Sequence, residues 1–209
     1  MQCINLLLQR DIGAISAVTC GPRRGTLLFN RTFFKDGGLS MQNRIDFEPV
    51  FFAPFVSSMM TIDRAWIDQS GHLDQAYCTV LFERALEEAL PLLEPEPGAP
   101  EEEDAVFVAT ETHVRYVRDM PAGAPVRVTL RLIDYDHAHV HVYLGLHHGI
   151  RGWSCATSEQ ILSLMDPLHR RERPLPDRVL ERVAGMKAAH RALPAPDDLG
   201  RRVEIFRRS

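Results

Sequence analysis

Trp66-Ile67-Asp68-Gln69-Ser70-Gly71-His72-Leu73 brings an acid, a hydroxyl, a glycine and an imidazole together within a few residues. The stretch follows a β-prone run and precedes the longest helical pattern in the chain. A helix start has backbone N–H donors without intrahelical partners, so titratable side chains beside it make a place where developing negative charge is stabilised. Residue types alone equally allow a simpler reading, a helix capped by Ser70 with a charged neighbour.

Other residues invite chemistry and give less. His137, His139 and His141 project from one side of a strand at period two, but no carboxylate or cysteine completes a ligand set at strand spacing, and no metal is expected. Glu159 lies in an apolar strand. Facing inward it would need a partner, and Arg115 or His113 on a neighbouring strand would serve. Cys3, Cys20, Cys78 and Cys155 are scattered with no C-x-x-C pair, as expected of reduced thiols in a cytoplasmic protein. A net charge of −4 lacks the clustered basic excess of a nucleic-acid footprint. The apolar start of the chain is too short for a secretory signal, and no run approaches a membrane span.

The elements that must position these residues follow from periodicity. Residues 51–68 are β-prone and read as a first strand. Leu73, Ala76, Tyr77, Val80, Leu81, Ala85, Leu86 and Leu90 then recur at spacings of three and four, a stripe wide enough for a central buried helix. The acidic, proline-rich run 94–104 reads as a solvated loop. Residues 105–118, 125–135, 137–147 and 153–165 alternate as strands with short connections, which makes them antiparallel. A basic loop and a second helix opening near Pro176 follow, then a charged tail with a short apolar anchor at Val203, Ile205 and Phe206. Residues 1–48 have no sustained period and read as a poorly ordered extension, with Met41 near the start of the folded part. The expected organisation is that extension, a domain over 49–168, and a loop, helix and tail over 169–209 packed on it. The fold class is α+β, one long helix wrapped by a curved antiparallel sheet.

Within that frame residues 51–166 resemble the hotdog-fold acyl-CoA thioesterases. The resemblance is carried by Trp66-Ile67-Asp68-Gln69-Ser70-Gly71-His72, by Glu111-Thr112-His113-Val114-Arg115-Tyr116 and by Ala156-Thr157-Ser158-Glu159-Gln160, in family order on the expected elements. Residues 112–193, with Pro174-Leu175-Pro176 and Ala188-Ala189-His190, are further similar to the thioesterase-like proteins of carnitine and betaine catabolism, which act on betainyl-CoA.

The resemblance implies hydrolysis of a short acyl-CoA thioester to free acid and CoA. Such chemistry needs an oxyanion site and a carboxylate that attacks the carbonyl or deprotonates water. The leaving thiol, with a pKa near ~8.5, departs without strong acid help. Asp68 is the implied nucleophile or base, with Glu83 or Glu87 as the helix acids that other family members use. Gly71 and the N–H groups near it and His72 form the implied oxyanion site, and His72 orients or polarises the carbonyl. Asp74, where relatives carry a neutral residue, would suit a cationic acyl group. Trp66, Tyr77, Tyr116 and Trp153 are candidate aromatic faces for a quaternary ammonium, Glu159 a second contact for the acyl group, and Arg170, Arg171 and Arg173 candidate partners for the CoA phosphates. No cofactor is implied beyond the CoA of the substrate, and the partner is a second copy, in a homodimer or homotetramer. Two competitors remain: a non-catalytic hotdog module that binds acyl-CoA or scaffolds a partner, and a hydratase of the same fold, whose Asp and His usually stand five apart where Asp68 and His72 stand four.

Overall fold

Alternation of Val126, Val128, Leu130 and Leu132 with Arg127, Thr129 and Arg131 makes a strand with one apolar face. The computed structural model describes residues 16–18, 51–93 and 105–205 and places that strand in the interior of its main sheet. In chain order the strands are β1 (Ser16–Val18), β2 (Phe51–Ala53), β3 (Phe55–Val56), β4 (Met60–Thr61), β5 (Val106–Tyr116), β6 (Pro125–Tyr135), β7 (His139–His148), β8 (Ser154–Asp166) and β9 (Arg171–Arg173). The helices are α1 (Gln75–Ala89) and α2 (Asp177–His190). The main sheet runs β3-β6-β7-β8-β5, with β4 also on β6 and β9 on β8, and every pairing is antiparallel. β1 pairs with β2 outside it.

The four long strands fall where alternation puts them, and register shifts at Ala109/Glu111, Leu132/Asp134 and Leu146/His147 bend them. The single strand expected over 51–68 is instead β2, β3, β4 and a 3-10 turn at Arg64–Trp66. At the break after β3, the Ser57 N–H donates to the Val128 carbonyl (2.8 Å) and the Ser57 Oγ accepts from the Val128 N–H (2.9 Å). One residue thereby takes both backbone groups of its partner, and the ladder ends there. Apart from Ser16–Val18, the expected N-terminal extension lies outside the described residues, as does the expected loop over 94–104.

α1 buries Cys78, Leu81, Phe82, Ala85, Leu86 and Ala89. They meet Val126, Val128 and Leu130 of β6 and Val140, Val142, Leu144 and Leu146 of β7. Leu81 and Phe82 are fully enclosed, and burying each side chain contributes about 1.5–3 kcal/mol. Ala76 and Val80, expected inside the stripe, are exposed, as are Glu83, Arg84, Glu87 and Glu88. The helix is therefore buried on one narrow face and open on the other. Cys78 and Cys155 are buried free thiols, whereas Cys3 and Cys20 lie outside the described residues. Among the described residues no helix is long and apolar enough to cross a membrane.

α2 follows directly on Pro176 and packs on β2 and β6. The chain beyond it crosses the outer face of the sheet, opposite α1, where Arg131, Tyr143, Thr157 and Glu159 alternate with buried neighbours. Arg131 of β6 donates to the carbonyls of Leu193 (2.8 Å) and Pro194. Asp198 accepts from Tyr143 of β7, from Thr157 of β8 (3.0 Å) and from Arg115 of β5 (3.0 Å). The Gly200 N–H donates to Glu159 (2.7 Å). The tail is thus a polar strap over four strands. Of the expected apolar anchor, Val203 and Ile205 are 90% and 88% exposed and do not hold it, and Phe206 lies outside the described residues.

His190 ties α2 to both neighbouring strands. Its Nδ1 accepts from the Leu132 N–H (2.9 Å) and its Nε2 donates to the Phe52 carbonyl (2.8 Å), with the residue 1% exposed. Burial holds its pKa below the ordinary 6.5. As pH falls below 6.5, the unfolded chain binds a proton that the folded chain refuses, so stability declines with acid, by up to ~1.4 kcal/mol per pH unit for one such group. Replacing His190 by Ala leaves two buried backbone groups unpaired. Chemical denaturation at pH 7.5 should show a loss of roughly 2–5 kcal/mol, and the acid slope should become shallower.

Candidate active site

The turn at residues 68–72 is built by the Asp68 side chain. Its Oδ1 accepts from the Ser70 N–H (2.8 Å), the Ser70 hydroxyl (2.6 Å) and the His72 N–H (3.2 Å). The Asp68 carbonyl accepts from the Gly71 N–H (3.1 Å), and the Asp68 N–H donates to the His72 carbonyl (2.8 Å). Gly71 sits at φ +85° with open space where a Cβ would stand, so the backbone angle, not crowding, calls for glycine. The turn is stitched by an Ile67–Leu73 bridge and by the Asp74 N–H to the Trp66 carbonyl (2.9 Å). His72 bridges Pro121, and the Leu73 N–H reaches the Met120 carbonyl (2.8 Å), which fixes the turn to the β5–β6 connection.

These bonds orient the protons. A carboxylate only accepts, so the Ser70 hydroxyl donates to Asp68 and its oxygen accepts from the His72 Nδ1–H at 3.1 Å. In this tautomer Nε2 is the ring nitrogen left bare. All three bonds to the Asp68 carboxylate fall on Oδ1, which leaves Oδ2 exposed and without a partner among the described residues. The Ser70 hydroxyl, followed by the His72 N–H, holds the Asp68 carboxyl below its usual range. Asp68 is therefore ionised at neutral pH.

The helix starts later than the sequence suggests. Asp74, not Ser70, is the cap, accepting from the Ala76 N–H (2.9 Å), and α1 opens at Gln75. The Gly71 and His72 N–H groups assigned to the oxyanion precede the helix and are engaged by Asp68. Ser70 is instead taken up by the Asp68 turn, since a short polar side chain satisfies a local turn as readily as a helix end.

Of the aromatic candidates, Trp66 and Tyr77 are stacked on each other with centroids 5.4 Å apart, and the Arg84 guanidinium lies over Trp66 at 5.0 Å. Trp153 is occupied similarly by Arg118 at 5.0 Å and by His148. Tyr116 remains 45% exposed at the end of β5. Its phenol is pushed up by burial first, then by Cys78 and Asp74, which places it beside the start of α1. Glu83 and Glu87 are exposed further along the helix, with the Glu83 carboxyl raised by burial and by Glu87.

Two other expectations are corrected. Glu159 lies on the outer face, away from Asp68, and its partners are His141 (2.9 Å) and the Gly200 N–H instead of Arg115 or His113. Arg115 pairs with Asp198. A recess of about 260 Å³ opens there, lined by Glu111, His113, His141, Glu159, Arg201 and Arg202, apart from the Asp68 turn. Arg170 and Arg171 follow the far end of β8, separated within one chain from its α1-start end by roughly 40 Å of strand. His139 sits between Asp136 (3.0 Å) and Glu172 (2.7 Å), and His141 with Glu159, so these imidazoles have separate carboxylate partners. Sequence reasoning missed Arg84 and the Ser70–His72 contact; the i, i+7 spacing of Tyr77 and Arg84 was the available signal for the first.

The geometry has counterparts. The model of the thioesterase-like superfamily matches residues 63–183. The betainyl-CoA thioesterase of Pseudomonas aeruginosa is 29% identical over 136 residues, 65% of this chain and 86% of that protein. The L-carnitine dehydrogenase/betainyl-CoA thioesterase of Rhizobium meliloti is 27% identical over 142 residues, 68% of this chain and 28% of that protein. A Staphylococcus aureus protein solved in complex with CoA shares the fold at a TM-score of 0.65 and 21% identity, covering 73% of this chain and 96% of that one.

Because Ser70 is the main support of the ionised Asp68, Ser70→Ala should move the Asp68 midpoint upward, toward 3.8, in a carboxyl NMR titration. A midpoint that stays where it is in the wild type would show that the backbone N–H groups suffice.

Proposed function

The chain belongs to the thioesterase-like superfamily, and on that footing we propose that it hydrolyses a short acyl-CoA thioester, betainyl-CoA foremost, to the free acid and CoA. The observation that carries this is the exposed, ionised Asp68 with Oδ2 unengaged and a hydrogen-bonded Ser70 and His72 behind it.

In this reading Asp68 Oδ2 either attacks the thioester carbonyl or takes a proton from a water that does. On either route the tetrahedral intermediate expels the thiolate; an acyl–Asp68 anhydride left by direct attack is then hydrolysed by water to the free acid, and His72 Nε2 carries a proton from water to the departing sulfur. Backbone N–H groups at the turn and helix start favour the oxyanion through the positive end of α1. That of His72, held by the Asp68 carboxylate, serves once the Asp68 side chain turns toward substrate, whereas that of Gly71 stays on the Asp68 backbone carbonyl. The acyl end lies toward Tyr116 and Asp74, an aromatic face and a carboxylate that together suit a quaternary ammonium. Trp66 and Tyr77 frame this region but spend their faces on each other and on Arg84.

The partner is a second copy. β5 is an outer strand of the sheet with Val106, Val108 and Tyr116 exposed, an edge unpaired among the described residues that calls for pairing. A two-fold antiparallel pairing along β5 brings the start of one strand beside the end of the other. The Arg170–Arg171 turn of one subunit then lies on the Asp68 side of its mate, where CoA phosphates need cations.

The test is thiol release from a panel of acyl-CoA esters that includes betainyl-CoA and butyryl-CoA. Wild type should turn over betainyl-CoA best, and Asp68→Asn should lower kcat by roughly 10²–10⁴-fold. Saturable CoA binding without thiol release would instead identify a non-catalytic acyl-CoA-binding module.

A further inference from the structure

Trp66 is held between two side chains of α1. Tyr77 and Arg84 stand two helical turns apart, about 10.5 Å along the axis. That distance accommodates an aromatic ring with a neighbour on each face. Trp66 fills it, with Tyr77 nearly parallel at 16° and 5.4 Å and the Arg84 guanidinium carbon 5.0 Å from the Trp66 centroid. Arg84 is exposed and has no carboxylate partner among the described residues, and its guanidinium rests on the indole face.

Trp66 also begins the turn that carries Asp68. Its carbonyl accepts from the Asp74 N–H, the residue after it bridges Leu73, and Asp68 comes next. Along α1 the turn is tied by the Asp74 cap at one end and the Trp66 wedge at the other, beside the links of His72 and Leu73 to the β5–β6 connection. Without the guanidinium, one face of the indole opens to solvent and the ring keeps only the Tyr77 side of the wedge.

We propose that Arg84 is a positioning residue for the Asp68 carboxylate, acting through Trp66. This rests on the thioesterase reading above. A guanidinium is planar and weakly hydrated and stacks on an indole better than an ammonium does, so lysine substitutes in part.

The experiment measures kcat, KM and melting temperature for wild type, Arg84→Met, Arg84→Lys, Asp68→Asn and the double variant Asp68→Asn/Arg84→Met, by thiol release from the most active ester of the panel. Small displacements of a reacting group cost up to about 10²-fold, so Arg84→Met should lower kcat by about 10- to 100-fold with KM and melting temperature unchanged. Arg84→Lys should recover much of the loss. In the Asp68→Asn background the Arg84→Met change should cost nothing further, because residues that act through one another are not additive. A rise in KM at constant kcat would overturn the proposal and make Arg84 a CoA contact. A melting temperature that falls in step with activity would overturn it in favour of a purely structural role, as would a full additional loss in the double variant. Absence of thiol release by the wild type would overturn the thioesterase reading itself, a result distinct from wild-type turnover that Arg84→Met leaves untouched.

Discussion

One contact organises the molecule: the narrow apolar face of α1 laid on the inner side of β6 and β7. Leu81, Phe82 and Ala85 are wholly enclosed there, and removing such surface from water is the main favourable contribution to folding. Once the helix is seated, its start has one position, beside the β5–β6 connection at Met120 and Pro121. The turn bearing Asp68 is then an overhang between a fixed helix and a fixed strand connection. Polar side chains, not core burial, give it shape.

The two faces of the sheet divide the work. Inner positions such as Val142, Leu144 and Leu162 are apolar and closed by α1 and its surroundings. Outer positions carry Arg115, Arg131, His141, Tyr143 and Glu159, which would be left to water without the strap. Asp198 draws three donors, and its pKa lies below the usual range because those bonds outweigh its burial. Tyr143 is correspondingly pushed upward by burial and by that carboxylate. Charge on this face is structural and remote from the Asp68 turn.

Much of this was legible in the chain. Strict alternation in residues 125–135 told strand and face together, and the short connections on either side told that its partners run antiparallel. The helix was legible too, though Cys78 and Phe82 displaced Ala76 and Val80 from its buried face. What could not be read was decided by contacts distant in sequence. Ser70 and Asp74 both offer themselves as caps, and the choice falls to Asp74 through the link of Leu73 to Met120. Glu159 alternates with Ser158 and Gln160, but only the fold shows that those two are the buried ones. Family resemblance pointed to Asp68 at the helix approach and said nothing of Arg84, whose contact with Trp66 depends on how the 3-10 turn docks on α1.

The strap has a consequence for the order of events during synthesis. Asp198 binds side chains from β5, β7 and β8, and Arg131 of β6 holds the segment just before it. All of these strands leave the ribosome earlier than the segment they hold. A site assembled from several strands exists only when they already lie in register, so the strap cannot seed the sheet and can only recognise a finished one. It acts as a latch that closes after assembly, and a nascent chain halted before residue 198 would present the sheet's outer face bare.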